Sequence, residues 1–168
     1  TGFRIRGTDP SRINVTINGI PLNDSESQGV WWVNMPDFAS SLENIQIQRG
    51  VGTSTNGAAA FGASINLQTI GVNELAYAKT NSTIGSYNTL KNNIELGTGV
   101  INKKFTFDTR LSKITSDGYI DRASSDLKSL YLQGTYFDKT SILKGIIFSG
   151  QERTYQAWNG CLLYTSPS

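Results

Sequence analysis

The chain has 168 residues, 15 basic and 13 acidic, with no histidine and one cysteine. That length suits one ordinary domain of about 100–200 residues. Only 17% of residues are charged and 38% hydrophobic, so the chain is rich in Asn, Ser, Thr and Gly, which favours turn-rich β-structure over a helical bundle. Lacking histidine, it holds no His-based triad and no His-ligated zinc; the lone Cys161 excludes an intrachain disulfide or a cysteine cluster. No basic stripe denser than Lys103-Lys104 is available for nucleic acid. Apolar runs such as Val30 to Val33 fall far short of the about 20 residues of a membrane-spanning helix. The opening residues read neither as a start nor as a signal peptide, and the chain is expected to begin inside a longer protein.

In chain order, residues 1–70 are irregular. Ile13 to Ile17 alternates as a strand and runs into the turn signal Asn18-Gly19. Met35 to Leu42 suits a short helix, with Ala58 to Phe61 as its partner. Ile45 to Gln48 and Ser64 to Thr69 are β-prone. From residue 72 the texture changes to longer alternating stretches. Glu74 to Ser86 is marked mainly by Tyr77 and Ile84. In Leu90 to Val100, Leu90, Ile94, Leu96 and Val100 share a face. In Lys104 to Lys113, Phe105, Phe107, Thr109 and Leu111 oppose Thr106, Asp108, Arg110 and Ser112, giving one greasy and one wet face. Lys128 to Asp138 carries the apolar row Leu130, Leu132, Tyr136. Thr140 to Gln151 is ambiguous, because Ile142, Ile146 and Phe148 compete with Leu143 and Ile147.

Connections near Ile101 to Lys103 and Asp138 to Thr140 are tight. The one from Ser116 to Ser125 is long, and Glu152 to Gly160 opens another polar, aromatic loop. Short turns at one edge, long loops at the other and strands of about ten residues suit an outer-membrane β-barrel. A soluble sandwich alternates equally well. Five strands fit in residues 72–153, and a membrane barrel closes only from about eight, so a barrel would need more chain. Barrels of about 22 strands enclose a lumen wide enough for a plug.

The blocks Phe3-Arg4-Ile5-Arg6-Gly7, Val15 to Asp24, Leu42 to Gly52, Gly57 to Gly62 and Ser64 to Thr69 together resemble the plug of TonB-dependent outer-membrane receptors. Their order and spacing are similar to that family, in a form akin to Bacteroidetes receptors. The departures are Asn18 before Gly19, Val51 where proline is usual, and Phe61 before Gly62. Asp117-Gly118-Tyr119 in the long loop is also family-like. The resemblance implies a mainly β fold: the C-terminal part of a small mixed α+β plug over residues 1–70, then about five N-terminal antiparallel strands of a ~22-stranded transmembrane barrel over residues 71–160. Residues 161–168 break the pattern and are expected to be a non-native tail.

The resemblance further implies an outer-membrane, non-enzymatic receptor for active nutrient uptake, of the siderophore, cobalamin, haem or glycan class. It would need no cofactor or metal of its own. Its partners would be TonB, reached through an upstream segment, outer-membrane lipid, a small-molecule or oligosaccharide ligand and a surface lipoprotein. Arg6, Arg49 and Gly50 are the candidates for plug–barrel coupling, through carboxylates on the barrel wall. Glu26, Gln28, Trp31 and Trp32, in the loop Asn23 to Asn34, and Tyr119, Tyr155 and Trp158, in the outer loops, are the candidates for ligand contact, since aromatics offer area with a polar handle. The tryptophans serve equally well to pack plug against wall, and the loop aromatics to anchor at the membrane interface. The competing reading is a secreted or surface β-rich carbohydrate-binding module. A glycoside hydrolase would need a carboxylate pair that the sequence does not offer. Gly50-Val51-Gly52 is followed by no Lys-Ser/Thr for phosphate, and Asp117, Asp121 and Asp126 do not have EF-hand spacing.

Overall fold

The computed structural model describes residues 3–50 and 61–155. Three expected features lie outside them: residues 58–60 of the second short helix, Trp158, and residues 161–168.

The chain builds two sheets. In the first, a 3-10 turn at Pro10–Arg12, capped by Asp9, leads into β1 (Ile13–Ile17). Asn18 and Gly19 both take positive φ (51° and 84°) and reverse the chain into β2 (Ile20–Pro21), the two-residue hairpin geometry that Asn-Gly favours. β3 (Leu42–Arg49) and β4 (Ala63–Thr69) complete the order β2-β1-β4-β3, with β1 and β4 parallel and the other pairs antiparallel. Ile13, Val15, Ala63, Ile65, Leu67 and Phe38 form its buried core.

The helix expected over Met35 to Leu42 is only one 3-10 turn, Phe38–Ser41, with another just ahead of it at Trp32–Asn34. Pro36 disfavours a helical Met35 and supplies no N–H. Asp37 then turns left-handed (φ 53°), and Leu42 already belongs to β3.

The second sheet is an antiparallel meander of β5 (Tyr77–Gly85), β6 (Thr89–Gly97), β7 (Phe105–Ser116), β8 (Ser125–Phe137) and β9 (Ile142–Thr154). All five expected strands are present. The β7–β8 ladder runs to Ser116↔Ser125, so the long loop shrinks to residues 117–124. β9 likewise takes in Glu152 to Thr154, where a loop was expected. β5 and β6 are joined by a tight turn at Tyr87-Asn88, both with positive φ, at the edge where longer loops were expected.

Which face of the meander is buried decides what kind of sheet it is. The wet row of β7 is the buried one: Thr106, Asp108 and Ser112 are nearly inaccessible and Arg110 is 0% exposed, whereas Phe107 and Leu111 are 54% and 53% exposed. β8 agrees, with Ser129, Tyr131, Gln133 and Thr135 buried. A sandwich buries its apolar row; a membrane wall presents it to lipid and keeps polar residues inside. The ambiguity in β9 resolves the same way. Ile146 and Phe148 pack on the first sheet's core, and Leu143 and Ile147 face out. Among the described residues no helix is long and apolar enough to cross a membrane, which leaves crossing by strands untouched.

Candidate functional site

The two sheets meet at Asp37. Its left-handed backbone, after Pro36, turns the carboxylate toward β6 and β7. Oδ1 accepts from Ser40 Oγ (2.6 Å) and Lys91 Nζ (2.7 Å); Oδ2 accepts from Arg110 Nη1 (2.9 Å) and from the Ser112 hydroxyl. Arg110 also donates to Ser41 Oγ through Nε (2.7 Å) and to Ser129 Oγ through Nη2 (3.1 Å). The Arg110 side chain is wholly buried, that of Asp37 nearly so, and that of Lys91 is 31% exposed. Burial alone would push the Asp37 carboxyl up. The hydrogen bonds from Lys91, Ser112 and Ser40 and the Lys91 charge outweigh it and hold the group below the usual carboxylate range.

A second junction lies at the end of β4. Gln133 Oε1 accepts from Thr69 Oγ1 (2.9 Å) and Tyr131 Oη (2.7 Å), and its Nε2 donates to the Ile70 carbonyl (2.8 Å), which Lys144 Nζ also reaches (3.2 Å). Between the two junctions Phe38 stands edge-on to Phe148, ring centres 5.0 Å apart, with Tyr131 at 6.3 Å. The connection leaving β4 is pinned as well: Gly71 N–H donates to Glu43 Oε2 (2.9 Å) and Val100 N–H to the Glu74 carbonyl (3.1 Å). Polar pairs, edge-on aromatic contacts and a tethered connection hold the two sheets together. Among the described residues no group of three or more acidic, cysteine or histidine side chains could hold a metal.

The residues singled out by sequence fall elsewhere. Arg6, with φ 52°, and Arg49, at the end of β3, are exposed and form no ion pair among the described residues. Gly50 takes φ 85° and donates its N–H to the Gly62 carbonyl (2.9 Å), tying the ends of the segment between β3 and β4. Glu26 and Gln28 sit in a tight loop organised by Asp24. Its Oδ1 accepts the N–H groups of Ser27 (2.7 Å) and Glu26 (3.0 Å), and those backbone bonds hold its carboxyl below the usual range. Trp31 is exposed, whereas Trp32 is half-buried and packs edge-on against Phe3 at 4.8 Å. Tyr119 stands edge-on to Tyr87 at 5.4 Å on one rim of the meander, and Tyr155, whose N–H donates to the Ser124 carbonyl, is exposed on that same rim.

The sequence reading missed Asp37, Lys91, Arg110 and Ser112 as a set. The one signal was an arginine and an aspartate in the wet row of β7. Nothing local joins Arg110 to Asp37, 73 positions away.

Residues 1–64 match the family of TonB-dependent receptor plug domains. That match covers the first sheet as far as Ser64 in β4. Solved structures reproduce the plug together with its wall. The pyoverdine outer membrane receptor FpvA of Pseudomonas aeruginosa PAO1 superposes with a TM-score of 0.71 at 12% identity, over 89% of this chain and 22% of that one. The siderophore receptor PiuA of Acinetobacter baumannii gives 0.69 at 16%, over 89% and 20%. The ferric yersiniabactin uptake receptor FyuA of Yersinia pestis gives 0.61 at 11%, over 84% and 22%. The chain thus spans about a fifth of the length of these receptors. No curated protein sequence matches it. What the chain shares with these outer-membrane receptors is the fold, a plug-like sheet followed by strands of their wall.

Proposed function

We propose that this chain is the part of an outer-membrane uptake receptor in which the plug is fastened to the barrel wall, the plug ending near Ile70 and the wall starting at residue 71. The carrying observation is the Asp37 clamp, in which a plug carboxylate takes donors from two wall strands. The complete receptor binds a nutrient at its outer face, of the siderophore, metal-chelate, cobalamin, haem or glycan class. The plug blocks the lumen until energy reaches it, and because the outer membrane holds no ATP the energy arrives mechanically, through TonB acting on a segment upstream. Arg6 and Arg49 are free to pair with other parts of the wall. Trp31, Tyr119 and Tyr155 offer aromatic surface to the ligand, and a surface lipoprotein is a partner of the outer face.

The inverted burial of the meander supports this reading over a soluble carbohydrate-binding module. Membrane crossing and transport are tested together by deleting the gene and measuring uptake of iron chelates, cobalamin, haem and oligosaccharides under limitation of each. Uptake of one nutrient should fall and return with the intact gene, but not in a strain lacking TonB. Unchanged uptake of all of them, or rescue without TonB, would defeat the proposal.

A further inference from the structure

The outward face of the meander is a set of layers fixed by strand register. Thr80, Ile94, Leu111, Leu130 and Ser149 lie side by side in one layer; the next, toward the β7–β8 loop, is Ser82, Asn92, Lys113, Lys128 and Gln151. Lys113 and Lys128 are directly opposite each other on neighbouring strands, an arrangement that is destabilising for like charges. Both are exposed, and among the described residues neither forms an ion pair. One layer further on, Arg153 faces Asp126 across β8 and β9 without an ion pair between them. These outward rows therefore hold three positive charges and one negative.

Across these two layers runs a shallow, open hollow of about 440 Å³, lined by Ile94, Leu111 and Leu130 of one layer and by Asn92, Lys113 and Lys128 of the next. An apolar floor running into a paired cationic end is complementary to an acyl chain joined to a phosphate. β7 and β8 each have both neighbours in this chain, so the paired lysines are not at an open edge. We propose that this hollow binds one phosphate-bearing acidic lipid of the surrounding membrane, with the phosphate bridging Lys113 Nζ and Lys128 Nζ and one acyl chain lying over Ile94, Leu111 and Leu130. This rests on the reading of the meander as a membrane wall.

The test uses the complete receptor, extracted in detergent and stripped of lipid. Native mass spectrometry follows retention of phosphatidic acid against chain-matched phosphatidylcholine, with inorganic phosphate as a separate arm. A basic residue near an anionic lipid surface is worth about fivefold in binding, so the pair gives about 25-fold. Phosphatidic acid should be retained selectively and one-to-one. Lys113→Gln with Lys128→Gln should abolish the selectivity, Lys113→Arg with Lys128→Arg should keep it, and Lys139→Gln, in the opposite turn, should leave it unchanged. Equal retention of both lipids, or selectivity that survives the double glutamine variant, overturns the site. Phosphate binding as tightly as the lipid would show a free-anion site and overturn it too. A receptor that stays monodisperse without detergent would overturn the membrane reading itself, an outcome seen before any lipid is added.

Discussion

Asp37→Asn removes one negative charge from a junction holding two positive ones. The asparagine oxygen still accepts one donor. Its NH2 group, however, must face either Lys91 Nζ or Arg110 Nη1, donor against donor. Lys91 is 31% exposed and can swing toward water; Arg110 is 0% exposed and cannot. Breaking a buried ion pair from one side costs about 3–5 kcal/mol, and the open side at Lys91 puts this case near the low end, about 3 kcal/mol. At about 1.4 kcal/mol per factor of ten, that multiplies the population with the junction open by about 100. The loss is local, because β6 to β8 keep their own ladders. Native-state hydrogen exchange on the complete receptor should show the amides of Phe38 to Leu42 exchanging about 100-fold faster, with β7 little changed. Arg110→Met and the double variant close a thermodynamic cycle: with no buried cation left to strand, since Lys91 reaches water, the double variant should cost well under the sum of the singles. Exchange unchanged in Asp37→Asn, or singles additive to within about 0.5 kcal/mol, would refute the clamp.

The same carboxylate sets a pH response. Because its value in the folded protein lies below the unfolded one, its stabilisation is present above about pH 4 and is lost as pH falls through the folded value; limited proteolysis of the plug from pH 7 to pH 3 should show cleavage rising only in acid, with a smaller rise in Asp37→Asn. Gln133→Leu leaves the Thr69 and Tyr131 hydroxyls without the acceptor for their protons and takes one of two donors from the Ile70 carbonyl, and should cost about 2–3 kcal/mol, read as faster exchange at the end of β4. Gly99 has φ 66°, and an added Cβ would press on the backbone of Leu75 and Ala76. Gly99→Ala should therefore cost at least about 2 kcal/mol, whereas Gly19→Ala, with φ 84° and open space around it, should cost only the backbone term of about 1 kcal/mol; denaturation midpoints of the two variants check the order. Tyr119→Ala should weaken binding of the nutrient identified by uptake without moving the melting temperature, since Tyr119 is 80% exposed.

Local signals carried a good deal of this fold. Asn18-Gly19 announced its hairpin because two adjacent left-handed residues are cheap only for such a pair. The rows of β7 and β8 were visible because side-chain direction along a strand has a period of two. The plug blocks were recognisable because their turns and strands keep a fixed order. Alternation, however, says only that a sheet has two unlike faces. It does not say which face is covered, so barrel and sandwich stayed level until the plug was seen lying on the row of Thr106, Asp108, Arg110 and Ser112. β9 was unreadable for a related reason: both of its rows are apolar, one for lipid and one for Phe38. Pro36 could be read as a helix breaker, but not the left-handed Asp37 it produces. The joint itself was out of reach. Asp37 gains its meaning from Lys91 and Arg110, 54 and 73 positions away, and a charge pair across that distance leaves no periodicity, spacing or propensity in the chain. Composition and local pattern determined the strands, the turns and the identity of the plug; only the packing of one sheet on the other decided which charges are buried together, because burial is a property of neighbours in space.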